Sequence, residues 1–203
     1  MGFPDFFSQA PALRLHDGLS ELLGTTEDGM VEYRYADAVK LTGHSCPTVA
    51  GTWLCVRAGL DALYPGAVPE RGHIEVSIPE AEDAGVTGVV GQILTLVTGA
   101  AGAGGFKGLG GRYARNRLLR YGDTLAGTLR LRRLDNDEAV EVEMDTSTIP
   151  VDPMQQILLA RVVQGSATES ECRRFGALWQ ERVRRLLIEH ADDPAVVRVF
   201  RVY

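Results

Sequence analysis

The sequence predicts an α+β fold, an antiparallel sheet packed against helices, with a C-terminal helical extension. Three observations carry this. Residues 47–64 have the apolar spacing of a long helix. Short segments of strand character follow one another between residues 113 and 145. Helical patterns lie before and after that run rather than alternating with single strands.

The elements follow in order. Phe3, Phe6 and Phe7 make an otherwise irregular N-terminal arm too apolar to be freely solvated. Residues 31–35 alternate like a short strand, or lead directly into a helix over 35–41 that Gly43 ends. The helix from about Pro47 to Tyr64 has Pro47 at its first position and Pro65-Gly66 at its end. Val49, Trp53, Val56, Leu60 and Leu63 form its apolar face, beside a stripe of small residues at Thr48, Thr52, Cys55, Gly59 and Ala62.

His73–Ile78 reads as a strand with Ile74, Val76 and Ile78 inward. Thr87–Thr98 is an apolar helix, followed by a glycine-rich stretch over 99–111. Strands are expected over 113–121, 124–134 and 139–145, with Asp135-Asn136-Asp137 as the turn between the last two. After Ile149-Pro150-Val151-Asp152-Pro153 come a helix from about Met154 to Val163 and a second over 169–190. The second opens with the Thr168/Glu171 capping box, and a terminal strand over 196–202 follows. The organisation expected is an arm over 1–30, a central domain over 31–148 and a C-terminal helical pair and strand over 149–203.

Composition excludes several classes. The chain has 203 residues, 45% hydrophobic and 24% charged, as a packed domain requires and a disordered chain does not. Its 21 Lys and Arg against 27 Asp and Glu give a net charge of −6, which disfavours a nucleic-acid binder. No stretch approaches the roughly 20 apolar residues of a membrane helix. The first residues carry no basic segment followed by an apolar one, and three cysteines do not form a disulfide framework. The expectation is a cytoplasmic protein with reduced thiols, no membrane partner and no nucleic-acid partner.

The segment with the clearest chemistry is Thr42-Gly43-His44-Ser45-Cys46-Pro47, which joins two helices. Imidazole and thiolate are both ligands for zinc and other borderline or soft metals, and a two-residue spacing lets both reach one ion from a turn. Cys46 stands at the helix N-cap, where the dipole favours thiolate. The alternative from these residues alone is a turn in which His44 caps and Cys46 is buried.

Gly43-His44-Ser45-Cys46-Pro47, with Gly51 and the amphipathic helix behind it, resembles the N-terminal signature of the formylmethanofuran dehydrogenase FmdE family. Gln92, the run into Thr98-Gly99, and Gly111-Arg112-Tyr113-Ala114 resemble that family's helix, glycine loop and Gly-Lys-x-Ala element. The likeness spans roughly residues 35–145. It implies an α+β domain binding a transition metal, commonly zinc, through His44 and Cys46, and establishes no reaction; a metal-dependent enzyme or redox protein centred on these two residues is one reading. A non-catalytic metal or haem carrier or sensor is the alternative, with haem iron on the Cys46-Pro47 thiolate. Val89 and Gln92 stand where the family commonly has cysteine and aspartate, Arg112 replaces its lysine, and the chain has no Cys-x-x-Cys.

Cys55 lies nine residues beyond Cys46, on the opposite helix face, and is expected to pack rather than to ligate. Cys172 is expected to be a buried or interface thiol, and His73 solvated; His16 and His190 have no supporting neighbours in sequence. The glycine-rich stretch matches neither a P-loop nor a dinucleotide fingerprint. Lys107 and Arg112, with Arg115, are candidates for holding an anionic small-molecule ligand beside it, and a solvated surface is the plainer reading. Glu80, Glu82 and Asp83 are candidate bases, or a solvated acidic turn. Phe175, Leu178, Trp179 and Leu186, with the small-residue stripe, suggest a homodimer.

Overall fold

The structure, a computed structural model, describes residues 2–202. Among the described residues, seven strands and six α-helices form in the order β1 (Leu13–His16), α1 (Gly18–Leu22), β2 (Met30–Tyr33), α2 (Tyr35–Thr42), α3 (Pro47–Leu63), β3 (Ile74–Ile78), α4 (Thr87–Thr98), β4 (Leu119–Tyr121), β5 (Leu129–Arg133), β6 (Ala139–Met144), α5 (Pro153–Val163), α6 (Glu169–Arg184) and β7 (Val197–Val202). The α+β class is as the sequence predicts. The main sheet has the order β4-β3-β5-β6-β7. Its pairings are antiparallel except β3–β4, which is parallel. β1 and β2 form a separate antiparallel pair.

Strand pairing crosses both boundaries drawn at 30/31 and 148/149. β1 pairs with β2, and β7 pairs with β6 over six positions. Phe6 and Phe7 are buried, with Phe7 edge-on to Tyr35. The arm and the C-terminal strand therefore complete one core.

That core lies between one face of the sheet and helices α2, α3 and α4. Trp53, Val56, Leu60 and Leu63 of α3 are buried with Leu129, Leu131, Val140 and Val142. The small-residue stripe is internal. A Cβ on Gly59 would lie 2.6 Å from Leu131 Cδ1, so glycine lets α3 sit directly on the sheet. Cys55 is buried, and burial pushes its thiol up to about 12, so it is a packing residue as expected.

The other face of the sheet is covered by ion pairs. Glu75 meets Arg120 at 2.7 Å and Arg132 at 3.0 Å, while Glu141 meets Arg130 at 2.5 Å and accepts the Ala126 and Gly127 amides. An antiparallel pair with one polar face has this alternation, and Leu129-Arg130-Leu131-Arg132 shows it directly.

The strand expected over 113–121 is confined to its last three residues. Tyr113 and Arg117 both sit at φ 61, a left-handed conformation that interrupts an extended ladder. The intervening Arg115 turns inward and is buried. The helix expected over 169–190 ends its regular part at Arg184 and continues as a wider π turn over Arg185–Glu189.

Candidate functional site

The Thr42–Pro47 turn is fixed from three sides. Gly43 closes α2 at φ 75, where its amide still donates to the Val39 carbonyl. The Tyr35 hydroxyl lies 2.9 Å from Ser45 Oγ, and burial raises the pKa of this phenol, which stays protonated. The Ser45 carbonyl accepts the Trp179 indole N–H at 2.9 Å and the Gln180 amide at 3.1 Å. The turn is thus the point where α6 docks onto the α2–α3 corner, a contact invisible in the local sequence because 134 residues separate its partners.

Within this turn His44 is exposed, and its Nδ1 lies 3.0 Å from the Thr42 carbonyl. A carbonyl only accepts, so this contact assigns the ring proton to Nδ1 and leaves the Nε2 lone pair free. Cys46 is the N-cap of the 17-residue α3, and its Sγ accepts the Val49 amide N–H at 3.4 Å. The turn therefore presents one free imidazole nitrogen and one sulfur at a helix start.

The donor types fit zinc, and the donor count is partial. Among the described residues no group of three or more His, Cys, Asp or Glu side chains is placed to hold a metal ion. His44 and Cys46 would hold the ion at an open site, where it would act as a Lewis acid, with the remaining positions filled from outside the chain. Haem fits less well. Cys46 is half-buried against the hydrophobic core and its sulfur faces its own helix amides, whereas an axial thiolate needs a free porphyrin-sized face.

A second polar centre lies where the N-terminal arm meets the start of β3. Its cleft, of about 620 Å³, is lined in part by His16, Glu21, Glu70, His73, Arg112 and Tyr113. His16 Nδ1 is 2.5 Å from Glu70 and its Nε2 is 3.0 Å from Glu21. The hydrogen bond to Glu70 is the main reason its pKa is raised. The two carboxylates bind opposite ring nitrogens, so the three groups do not converge on one ion. The supporting neighbours of His16 are here, 54 residues away in the case of Glu70. His190 also has a partner, Asp193, at 2.8 Å.

Behind this cleft Asp17 is buried and bonded to two guanidiniums, Arg71 at 2.8 Å and Arg115 at 2.7 Å, and its Oδ1 also caps α1 through the Leu19 and Ser20 amides. Burial pushes the Asp17 carboxyl up, but the Arg71 hydrogen bond and the Arg115 charge outweigh it and leave it below its usual range. Sequence reasoning missed this cluster. Arg115 is a buried partner of Asp17 rather than a surface cation.

Arg112 and Lys107 remain exposed. Arg112 lies 4.8 Å from the Tyr113 ring centroid and donates to its hydroxyl at 2.8 Å, on the rim of the His16 cleft. His73 is exposed and lines the same cleft. Glu80, Glu82 and Asp83 are exposed as an acidic turn before α4. Cys172 is exposed on α6, not buried within the chain. A scan against protein-family models and a search of curated proteins return no match.

Proposed function

We propose that the protein binds a transition-metal ion, zinc first, through His44 and Cys46. The observation that carries this is the arrangement of the donors. The Thr42 carbonyl holds the His44 ring by Nδ1, an outer-shell contact that orients a ligating histidine and leaves Nε2 free. Cys46, two residues on, is the N-cap of α3 and supplies the sulfur donor. The likeness of Gly43–Pro47 to the FmdE signature supports the same reading. Tyr35, Trp179 and Gln180 hold Ser45 between the two donors, which fixes the backbone from which both side chains extend.

The remaining positions are filled by water or by donors of a second chain in a homodimer. Metal analysis of protein purified without added metal tests the reading. Cys46→Ser is the informative variant, because serine keeps an N-cap acceptor for the Val49 amide while removing the soft thiolate. His44→Gln removes the imidazole from an exposed position. Each variant should lose most of the bound metal and keep the circular dichroism of the parent. Full metal content in both would place the ion elsewhere and end this reading. The metal-to-chain ratio of the parent distinguishes an ion held by one chain from one shared by two.

A further inference from the structure

The glycine-rich segment after α4 walls, with α2, α4 and β4, a cavity of about 510 Å³, a size typical of small-molecule sites. Leu41, Leu96, Leu119, Ala101 and Ala103 give it apolar walls, and Gly88, Gly91 and Gly102 contribute bare backbone. Four polar side chains line the same space: the Gln92 amide, the Thr95 and Tyr121 hydroxyls, and the Glu82 carboxylate. None of these four groups makes a hydrogen bond to another described side chain, so their donors and acceptors are available to an occupant.

The Tyr121 hydroxyl is built into the packing of this wall. A Cβ on Gly91 would overlap the Tyr121 hydroxyl and lie 2.9 Å from Tyr121 Cζ, so only glycine admits the phenol at that place. Burial, with the nearby Glu82 charge, raises the Tyr121 pKa, so the hydroxyl remains a donor at neutral pH. Among the described residues, Glu82 is the one charged side chain lining the cavity. Glu82 is exposed at the edge of this space, where its charge would repel an anionic occupant and pair with a protonated nitrogen.

We infer that this cavity binds a largely apolar small molecule carrying a protonated nitrogen, with Glu82 taking the cation and Gln92, Thr95 and Tyr121 its remaining polar groups. The chemical class is an apolar amine or amidine. The site is separate from the metal reading, since neither His44 nor Cys46 lines the cavity.

The test uses 2-naphthamidine and its shape-matched anion 2-naphthoate as probes in fluorescence titrations of the whole chain. The amidine should bind about tenfold more tightly than the acid, and Glu82→Gln should remove about that factor, as loss of one charge-assisted hydrogen bond implies. A Cβ on Gly102, which lines the cavity, meets nothing within 4 Å, so Gly102→Phe can be accommodated at its backbone and should obstruct the cavity and abolish binding. Amide shifts in the parent protein provide a check that depends on no variant: amidine should move the Gln92, Thr95 and Gly102 signals. Cys46→Ser should bind the amidine like the parent, which separates this inference from the metal reading. Equal affinity for the two probes, no amidine binding at millimolar concentration, or shifts confined to other parts of the chain would overturn it.

Discussion

Gly72→Ala tests the buried ion cluster through a residue that carries no charge. Gly72 has φ +84, and a Cβ there would coincide with the Arg115 guanidinium, with even Arg115 Nε only 2.7 Å away. A guanidinium is the mobile end of a long side chain and can swing aside, but here its place is set by Asp17 at 2.7 Å. Moving it leaves a buried carboxylate with Arg71 and two amides as its remaining partners. Removing one partner of a buried pair costs about 3–5 kcal/mol, and the retained Arg71 contact puts the loss near the lower end, about 3 kcal/mol. The left-handed backbone adds about 1 kcal/mol for any residue with a Cβ. The expected destabilisation is therefore about 4 kcal/mol. In an Arg115→Ala background the obstructing group is gone, and Gly72→Ala should cost only the backbone share of about 1 kcal/mol. Urea unfolding of the parent, both single variants and the double variant closes the cycle, with an expected coupling of about 3 kcal/mol. Equal costs of Gly72→Ala in the two backgrounds would refute the reasoning.

Further expectations follow from other contacts. The His16 pKa is raised above 6.5, chiefly by the hydrogen bond to Glu70, so its stabilising share is fully present below 6.5 and lost as pH rises through the higher folded value. Urea midpoints from about pH 6 to about pH 8.5 should fall more steeply in the parent than in His16→Gln. Asp17 has the opposite sign: its folded pKa lies below 3.8, so its contribution is present above that value and disappears as pH falls through the folded one. Asp17→Asn should therefore flatten the acid limb of the stability profile. Gly59→Ala should destabilise by about 1–3 kcal/mol in thermal unfolding, because its Cβ meets Leu131 Cδ1 at 2.6 Å and Val142 Cγ2 at 3.2 Å across the helix–sheet contact.

What the sequence made legible is what local physics decides. Pro47, the apolar spacing of α3, the Thr168/Glu171 capping box and the Asp135–Asp137 turn all involve partners within a few residues; α3, the start of α6 and the β5–β6 hairpin formed where expected, while β5 begins at Leu129 rather than at residue 124. What stayed hidden depends on distant partners. β1 is four residues long and extended because Met30–Tyr33 pairs with it. The Asp17–Arg71–Arg115 cluster joins residues 54 and 98 positions apart, and nothing in the sequence near Arg115 distinguishes it from an exposed arginine. At the His44–Cys46 turn, the chemistry of the donors was readable, while its anchoring by Trp179 and Gln180 was not. Arg130 and Arg132 of β5 carry no local sign of a partner, whereas Glu75 and Glu141 on the neighbouring strands turn them into an ordered polar face.

Each of the two tryptophans makes a contact that seats one terminal segment of the chain. Trp53 is fully buried in α3 and donates its indole N–H to the Pro11 carbonyl at 2.8 Å. Trp179 is partly exposed on α6 and donates to the Ser45 carbonyl. One indole therefore senses the seating of the N-terminal arm, the other the seating of the C-terminal helix against the proposed metal turn. Their emission should differ in colour, blue-shifted for Trp53 and redder for Trp179. Replacing either with phenylalanine leaves a single-wavelength optical gauge of one end. With such gauges, partial detachment of the helix can be followed in real time while the interior is still intact.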